Sequence, residues 1–163
     1  MILVTVGSSR FPFDRLLRAV DLLPRDEEIV VQHGPSEVRP SGARCVPFIP
    51  FDSLGELVRE ARLVVTHAGV GSILLALSHG KQPLVVPRLR RFGETVDDHQ
   101  LESARRFGRD DLVTLVEDPQ ELAGVIASLD GTTRPDRRQE DVPLVQELRR
   151  YIRAAVGAAG ARA

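Results

Sequence analysis

The sequence LVVTHAGVGS at residues 63–72 predicts a buried strand, then a glycine-bearing turn, then the start of a helix. The apolar helix formers ILLAL follow at residues 73–77. The first amides of such a helix have no partner within it and, together with the helix dipole, attract anions. Gly69 and Gly71 allow a ligand to approach the backbone closely, and Ser72 can donate a further hydrogen bond. The turn therefore predicts a phosphate or diphosphate site.

The same turn has a plainer interpretation, an ordinary strand-to-helix connection in which Ser72 is the helix N-cap. The two best-known glycine-rich nucleotide motifs do not match it. A dinucleotide fingerprint needs a third glycine where this sequence has Leu74, and a nucleoside-triphosphate loop ends in Gly-Lys followed by Ser or Thr. The expected ligand is therefore neither of the NAD type nor of the ATPase type.

The pattern around this turn predicts an α/β fold with a Rossmann-like, doubly wound parallel sheet in residues 1–130, because apolar runs alternate with helical segments. Strands are predicted at 2–6, 29–32, 45–48, 63–66, 84–86 and 112–115. Helices are predicted at 13–23, 54–61 (capped by Asp52 or Ser53), 70–79, 99–106 and 119–129. Residues 131–163 are predicted to be a charged linker and a last helix over 143–155, whose apolar stripe packs on this domain or on a partner: Leu144, Val145, Leu148 and Ile152.

Length and composition indicate a single cytoplasmic domain. The 163 residues carry 22 Lys and Arg against 23 Asp and Glu, and this balance argues against nucleic-acid binding as the main role. The single Cys45 excludes an internal disulfide, and its place in a predicted strand favours a buried, inert thiol. No basic leader precedes the first strand, and no apolar run approaches the ~20 residues that span a bilayer.

Ligands of open parallel sheets bind beyond the carboxyl ends of the strands. The polar and glycine-rich segments of this chain fall at that edge: Gly7, Ser8 and Ser9, His33 and Gly34, then residues 49–51, 67–72 and 88–100. Since 7–9 and 67–72 both precede predicted helices, we expect two helix ends to converge on one diphosphate. Arg88, Arg90 and Arg91 either add charge-assisted bonds to it or form a solvated loop.

The sequence FGETVDDHQ at residues 92–100 combines carboxylates, an imidazole and an amide, which suit the hydroxyl groups of a sugar. Asp97, Asp98 and His99 also allow a metal interpretation, but adjacent residues rarely point at one centre, and we expect no metal. Asp98 has a further interpretation as the cap of the next helix.

These segments together resemble the C-terminal, donor-binding domain of family 28 glycosyltransferases. More closely, the chain resembles the short bacterial exopolysaccharide proteins of the PssE/EpsE type, which are similar to the catalytic subunit of the eukaryotic two-subunit UDP-GlcNAc transferase that makes dolichol-linked chitobiose. The resemblance covers about residues 1–107 and is carried by GSS at 7–9 with Phe13, FIPF at 48–51, THAGVGS at 66–72 and the 92–100 segment.

The resemblance implies a single GT-B half, that is, one of the two Rossmann-like domains between which such enzymes hold their active site. The acceptor-binding half would be a separate, membrane-associated partner subunit. The donor would be a UDP-sugar, the acceptor a lipid-linked sugar, and the reaction an inverting transfer in exopolysaccharide synthesis. No cofactor and no metal are implied, since helix ends and side chains would offset the charge of the leaving diphosphate.

The resemblance also assigns roles to residues. Residues 7–9 and 67–72 would face the diphosphate, and the backbone around Ile49 and Phe51 would meet the uracil. The ribose or the transferred sugar would meet Glu94, Asp98, His99 and Gln100. The catalytic candidates are His67, Glu94 and His99, with Gly69, Gly71 and Ser72 as binding residues.

Two points stay open at this stage. The peptidoglycan member of the family carries a glutamate for the ribose in the helix after the glycine turn, whereas residues 73–77 have no acid, so nucleotide and sugar specificity are undetermined. The general base is His67 or His33, or it comes from the acceptor half; a structural role for both histidines is the competing interpretation.

Two other functions remain alternatives. One is a non-catalytic module that binds a nucleotide sugar, and it would bind UDP without transferring the sugar even when a partner is supplied. The other is a flavodoxin-like or receiver-type domain. A receiver needs an acidic cluster after the first strand, where this chain has only Gly7, Ser8 and Ser9, and a flavin would colour the protein yellow.

Overall fold

Six parallel strands form one sheet in residues 1–130, the part of the chain that the computed structural model describes. Their order is β3-β2-β1-β4-β5-β6, so the winding direction changes between β1 and β4. This is the order of the doubly wound Rossmann fold, and the predicted fold class is confirmed. The strands are β1 (Ile2–Thr5), β2 (Ile29–Gln32), β3 (Arg44–Val46), β4 (Leu63–His67), β5 (Leu84–Val86) and β6 (Thr114–Leu115).

Helices cover both faces of this sheet. They are α1 (Asp14–Val20), α2 (Phe51–Glu60), α3 (Val70–Ser78), α4 (His99–Arg109) and α5 (Leu122–Asp130), with 3-10 turns at Arg90–Phe92 and Pro119–Glu121. Successive side chains of a strand point to opposite faces. Ile2 and Val4 of β1 therefore pack with α1 and α5, whereas Leu3 packs with α2 and α3. Burial on both faces makes the central strands continuously apolar, which is why the sequence reveals them.

Several predicted boundaries are wrong by a few residues. Helix α2 begins at Phe51 with Pro50 at the N-cap, so neither Asp52 nor Ser53 caps it. The edge strands β3 and β6 are shorter than predicted, and α4 extends to Arg109. The helix predicted from 119 begins only at Leu122, because Asp118 accepts a hydrogen bond from the Gln120 amide and caps a 3-10 turn that precedes α5.

Three further predictions concern the C-terminal segment, the single cysteine and membrane-spanning helices. The predicted linker at 131–141 and helix at 143–155 lie outside the described residues. Cys45 is half-buried, and burial raises the pKa of its thiol above the usual value, which keeps it in the unreactive protonated form. No helix within residues 1–130 combines the length and the apolar content needed to cross a membrane.

Candidate functional site

The loops after β1 and β4 meet at the carboxyl edge of the sheet, where these two strands are neighbours. A Cβ added to Gly7 would lie 2.4 Å from Cε1 of His67, and one added to Gly69 would lie 2.2 Å from Nε2 of the same ring. The imidazole therefore lies between the backbones of Gly7 and Gly69, and a larger residue at either position would displace the ring. Gly7 also has a φ of +76°, in the left-handed region that favours glycine. The structure thus brings together three of the predicted site residues, Gly7, His67 and Gly69.

Helix α3 begins beside this imidazole, with Gly69 as its N-cap. The amides of Ser72 and Ile73 donate to the Gly69 carbonyl at 3.1 Å, whereas the amides of Val70 and Gly71 make no hydrogen bond to any residue in 1–130. The interpretation of Ser72 as N-cap is therefore wrong. A Cβ added to Gly71 would meet nothing within 4 Å, so this helix end faces open space. Two free amides and the positive end of a helix dipole suit an anion.

The amide of Gly7 is already occupied. It donates to Oε1 of Gln32 at 3.0 Å and to Oγ1 of Thr5 at 3.3 Å. In return, Nε2 of Gln32 donates to the Gly7 carbonyl at 3.0 Å and to the Pro47 carbonyl at 3.1 Å. The Gln32 side chain therefore fixes the turn after β1 and ties it to the end of β3. Thr5 and Gln32 are not among the predicted site residues, although a polar residue that closes a buried apolar strand is a signal for such a role.

The expected convergence of two helix ends is not observed. Helix α1 begins only at Asp14, several residues after the 7–9 turn. The Asp14 carboxylate accepts the amides of Glu37 and Val38 at 3.0 and 3.1 Å. In the turn itself, the Ser9 hydroxyl accepts the Phe11 amide at 3.3 Å, and Ser8 is exposed. The candidate site is therefore formed by the first turn of α3 and by the turn at residues 7–9, which Gln32 fixes; we call the space between them the crevice.

His67 is almost completely buried, and burial lowers the pKa of its imidazole to about 4. The positive charge of Arg88 lowers this pKa further, and a backbone hydrogen bond at Thr5 partly opposes both effects. At neutral pH the ring is neutral and can accept a proton. His33, the other candidate base, is buried at the end of β2 with Nδ1 2.8 Å from the Gly34 carbonyl.

Arg88 is fully buried after β5, so the interpretation of this residue as part of a solvated loop is wrong; the other interpretation is a contact with the diphosphate. Its terminal nitrogens donate to four backbone carbonyls at 2.8–3.1 Å, those of Val6, Phe11, Pro12 and Glu94. Burial lowers the pKa of Arg88 to about 10 against the opposing effect of Glu94, and the guanidinium remains charged at neutral pH. A direct bond from Arg88 to a ligand would require breaking these contacts, so that prediction is not supported. Arg90 and Arg91 are exposed.

Glu94, predicted to face the sugar, is buried with both carboxylate oxygens hydrogen-bonded. Oε1 accepts Nε of Arg15 at 2.9 Å, and Oε2 accepts Nη2 of Arg15 at 2.9 Å and the Leu89 amide at 3.0 Å. These contacts hold the loop after β5 against α1. A catalytic role for Glu94 stays a prediction, and one for which the carboxylate would have to exchange partners.

The remaining polar residues of this loop also contact backbone. Asp98 accepts the Arg90 amide at 2.9 Å and makes no side-chain cap to α4, and Gln100 accepts the Arg88 amide at 3.3 Å. His99 is 79% exposed, with ring nitrogens 3.9 Å from Asp97 and 3.6 Å from Glu102. The described residues contain no group of three or more His, Cys, Asp or Glu side chains placed to hold a metal ion.

Exposed apolar side chains follow the carboxyl ends of β3 and β4. Phe48 is 66% exposed and Phe51, the first residue of α2, is 52% exposed, while Ile49 between them is half-buried. Val70, at the start of α3, is also exposed. The segment predicted to meet a nucleobase thus lies at the same sheet edge as the anion-attracting helix end, and its aromatic side chains are free of core packing.

Comparison with known proteins identifies the family. The sequence profile of the glycosyltransferase family 28 C-terminal domain matches residues 1–140. The chain belongs to this family. Among its relatives, aclacinomycin-T 2-deoxy-L-fucose transferase of Streptomyces galilaeus is 30% identical over 136 residues, 74% of this chain and 30% of that protein. UDP-N-acetylglucosamine transferase subunit ALG13 of Yarrowia lipolytica is 45% identical over 58 residues, 36% of this chain and 27% of that protein. The chain spans less than a third of either relative.

Solved structures show the same fold. The glycotransferase of kitacinnamycin matches with a TM-score of 0.60 at 20% identity, over 94% of this chain and 39% of that one. The calicheamicin glycosyltransferase CalG4 matches with a TM-score of 0.62 at 18% identity, over 97% of this chain and 43% of that one. The Rossmann-like sheet of this chain therefore corresponds to one half of a GT-B glycosyltransferase, as the sequence predicts.

Proposed function

We propose that this chain is the donor-binding half of a two-component, inverting GT-B glycosyltransferase that transfers a sugar from a UDP-sugar to a lipid-linked acceptor in polysaccharide synthesis. One observation carries the proposal: the open N-terminus of α3, with the free amides of Val70 and Gly71, stands at the topological switch point of the sheet. Membership of family 28 supports sugar transfer as the reaction, and the name of the ALG13 relative supports UDP as the nucleotide.

In the proposed complex the diphosphate lies on the first turn of α3. Two amide hydrogen bonds and the helix dipole favour this anion, and they favour it more strongly as the bond to the sugar breaks and the leaving group gains charge. The uracil is placed against the backbone at 49–51, beside the exposed rings of Phe48 and Phe51. Gln100 and the exposed Asp98 and His99 are placed toward the ribose and the sugar. Neither a metal nor a cofactor is part of this proposal.

His67 is the proposed catalytic base within this chain. An inverting transfer needs a group that removes the proton of the acceptor hydroxyl as the hydroxyl oxygen attacks the anomeric carbon. A pKa of about 4 keeps the imidazole unprotonated over the physiological range but also makes it a weak base, so base catalysis by His67 requires the negative charge of the bound diphosphate to raise this pKa. Its Nε2 lies at the tip of the ring between the two glycines that border the crevice. A base supplied by the acceptor half is the competing outcome.

In this proposal a second Rossmann-like half completes the site, because a GT-B active site lies between two domains and residues 1–130 correspond to one of them. We assign that half to a partner subunit because the ALG13 relative is named as a subunit. Five of the six large apolar side chains exposed in residues 1–130 follow the carboxyl ends of β3, β4 and β5: Phe48, Phe51, Val70, Phe92 and Val96. Exposed apolar side chains along one edge are typical of a protein interface. We place a membrane-anchored, acceptor-binding subunit there, which would hold this chain at the cytoplasmic face of the membrane.

The test is calorimetric titration of the protein with UDP, GDP and dTDP, with and without EDTA, followed by a transfer assay with the co-expressed partner. We expect binding of UDP that EDTA does not change, and turnover of a UDP-sugar only with the partner present. Absence of UDP binding would contradict the donor site. UDP binding without transfer in the presence of the partner would favour the non-catalytic module.

A further inference from the structure

Three charged residues are linked beneath the loops that follow β1 and β5, because Arg15 bonds the Glu94 carboxylate and Arg88 bonds the Glu94 backbone carbonyl; we call Arg15, Glu94 and Arg88 the triad. The Glu94 carboxylate is engaged by Arg15 through two hydrogen bonds of 2.9 Å. Arg88 donates from its terminal nitrogens to backbone carbonyls alone, one of them that of Glu94 at 3.1 Å. The triad therefore has two cations and one anion, and it carries a net charge of +1.

The charge of Arg88 is shielded from solvent on every side. The residue is 0% exposed, and its guanidinium carbon lies 4.7 Å from the centre of the Phe13 ring. Among the described residues, Arg88 Nε is the buried side-chain nitrogen or oxygen atom that has no hydrogen-bond partner. Removing a cation from water is costly unless an opposite charge compensates it. The carbonyl dipoles compensate the Arg88 charge only in part, and the nearby Glu94 carboxylate is already hydrogen-bonded to Arg15.

The uncompensated charge lies at the base of the crevice. Nη2 of Arg88 donates at 2.8 Å to the carbonyl of Val6, the residue before Gly7. The same charge acts on His67, the ring between Gly7 and Gly69, where it helps to depress the pKa of the imidazole. The open end of α3 adds a partial positive charge on the other side of this ring. Positive potential from two independent sources therefore converges on one point.

We propose that the Arg15–Glu94–Arg88 triad is a fixed positive charge beneath the donor crevice, and that the diphosphate of the bound donor is its counter-charge. This inference rests on the proposed function. Arg88 acts as a positioning and electrostatic residue, because its nitrogens face the protein and do not touch the donor. When the bond from the anomeric carbon to the diphosphate oxygen breaks, its electron pair stays on that oxygen. The leaving group gains one negative charge, so the field of the triad stabilises products more than reactants.

A purely structural role is the competing explanation, because the four hydrogen bonds of Arg88 also join the loops around the crevice. Loss of Arg88 weakens ligand binding under either explanation. Glu94→Gln separates them by the sign of its effect. The variant removes the anion of the triad and leaves its two cations, so the electrostatic explanation predicts tighter anion binding, whereas the structural explanation predicts weaker binding.

The experiment measures the affinity of inorganic pyrophosphate, UDP and uridine by calorimetry at low salt. We expect Glu94→Gln to bind pyrophosphate and UDP about tenfold more tightly, and Arg15→Gln and Arg88→Met to bind them about tenfold more weakly. Arg88→Lys keeps a cation but cannot reproduce the four hydrogen bonds of the guanidinium, so it should lose less affinity than Arg88→Met without matching the wild type. Uridine has no diphosphate and should bind all variants equally. Glu56→Gln, an exposed carboxylate on α2, is the matched control and should change nothing.

A second readout needs no ligand. The pKa of the His67 imidazole, followed by NMR, should fall further in Glu94→Gln and rise in Arg88→Met, whereas a structural role predicts no such opposite pair. Weaker or unchanged pyrophosphate binding by Glu94→Gln would overturn the inference, and if that variant does not fold, unchanged binding by Arg15→Gln would do so. Wild-type protein that binds pyrophosphate but not UDP would overturn the proposed function alone. Wild-type protein that binds neither would overturn both.

Discussion

Substitution of Gly71 is expected to change ligand binding without lowering the stability of the fold. Gly71 lies in the first turn of α3, its φ is not in the left-handed region, and a Cβ there would meet nothing within 4 Å. Gly71→Ala should therefore leave the fold intact and raise the free energy of unfolding by up to about 1 kcal/mol through helix propensity. Gly71→Trp should fold as well, because its indole extends into open space, but that space is where the diphosphate is proposed to lie.

The magnitude follows from the two free amides at this helix end. A hydrogen bond to a charged group contributes about 1.5–3 kcal/mol, so loss of the bonds from Val70 and Gly71 corresponds to at least about a hundredfold loss of UDP affinity. Gly71→Ala covers less of the site and should lose less. The matched control is Gly124 in α5, where an added Cβ also meets nothing within 4 Å, and Gly124→Trp should bind UDP like the wild type.

The assay is calorimetric titration with UDP, paired with thermal unfolding of each variant. The reasoning predicts that Gly71→Trp keeps its melting temperature and loses UDP binding. Undiminished affinity in a folded Gly71→Trp variant would refute the placement of the diphosphate on α3.

Three further outcomes are expected. Gly69→Ala forces a Cβ against Nε2 of His67 and should lower the free energy of unfolding by about 1–3 kcal/mol. Combining Gly69→Ala with His67→Ala should recover part of that loss. Strict additivity of the two effects in a double-mutant cycle would contradict the contact. The pKa of His67 is about 4 in the folded protein against an ordinary 6.5, so between these pH values the unfolded chain binds protons more readily than the folded one. About 3 kcal/mol of unfolding free energy should therefore be lost as the pH falls through that window. Chemical denaturation at several pH values should show a smaller loss in His67→Gln and an unchanged loss in His99→Gln. Gln32→Leu leaves the polar groups of the turn after β1 unpaired and should cost about 1–3 kcal/mol in denaturant unfolding, whereas a variant as stable as the wild type would show that the clamp is dispensable.

The elements that the sequence predicts well are those determined by local pattern. Strand β4 and the start of α3 were placed correctly because a buried parallel strand is continuously apolar and a glycine turn ends it. The strand order does not follow from local pattern, because the usual handedness of βαβ units is compatible with more than one doubly wound order. The edge strands were placed less accurately, since one neighbour leaves only a short paired stretch, as in β6.

The parts of the site that the sequence did not reveal depend on contacts between distant residues. Glu94 is paired with Arg15, 79 positions away along the chain, and nothing in the 92–100 segment indicates that partner. Arg88 lies in a polar segment of the sequence with two other arginines, Arg90 and Arg91, and only the packed structure places it beneath the turn after β1. The role of Gln32 is similarly non-local, since its amide bonds the backbone of Gly7 and Pro47. Local pattern therefore located the crevice but not the residues that support it.

Binding of the diphosphate on the first turn of α3 is tested by an amide NMR titration of the isotopically labelled protein with UDP. We expect the amide resonances of Val70 and Gly71 to shift most, in a saturable manner, because these free donors are proposed to bind the diphosphate. The Gly7 amide, already bonded to Gln32, should shift less. Saturable binding that leaves Val70 and Gly71 unchanged, with shifts confined to another surface, would contradict the account.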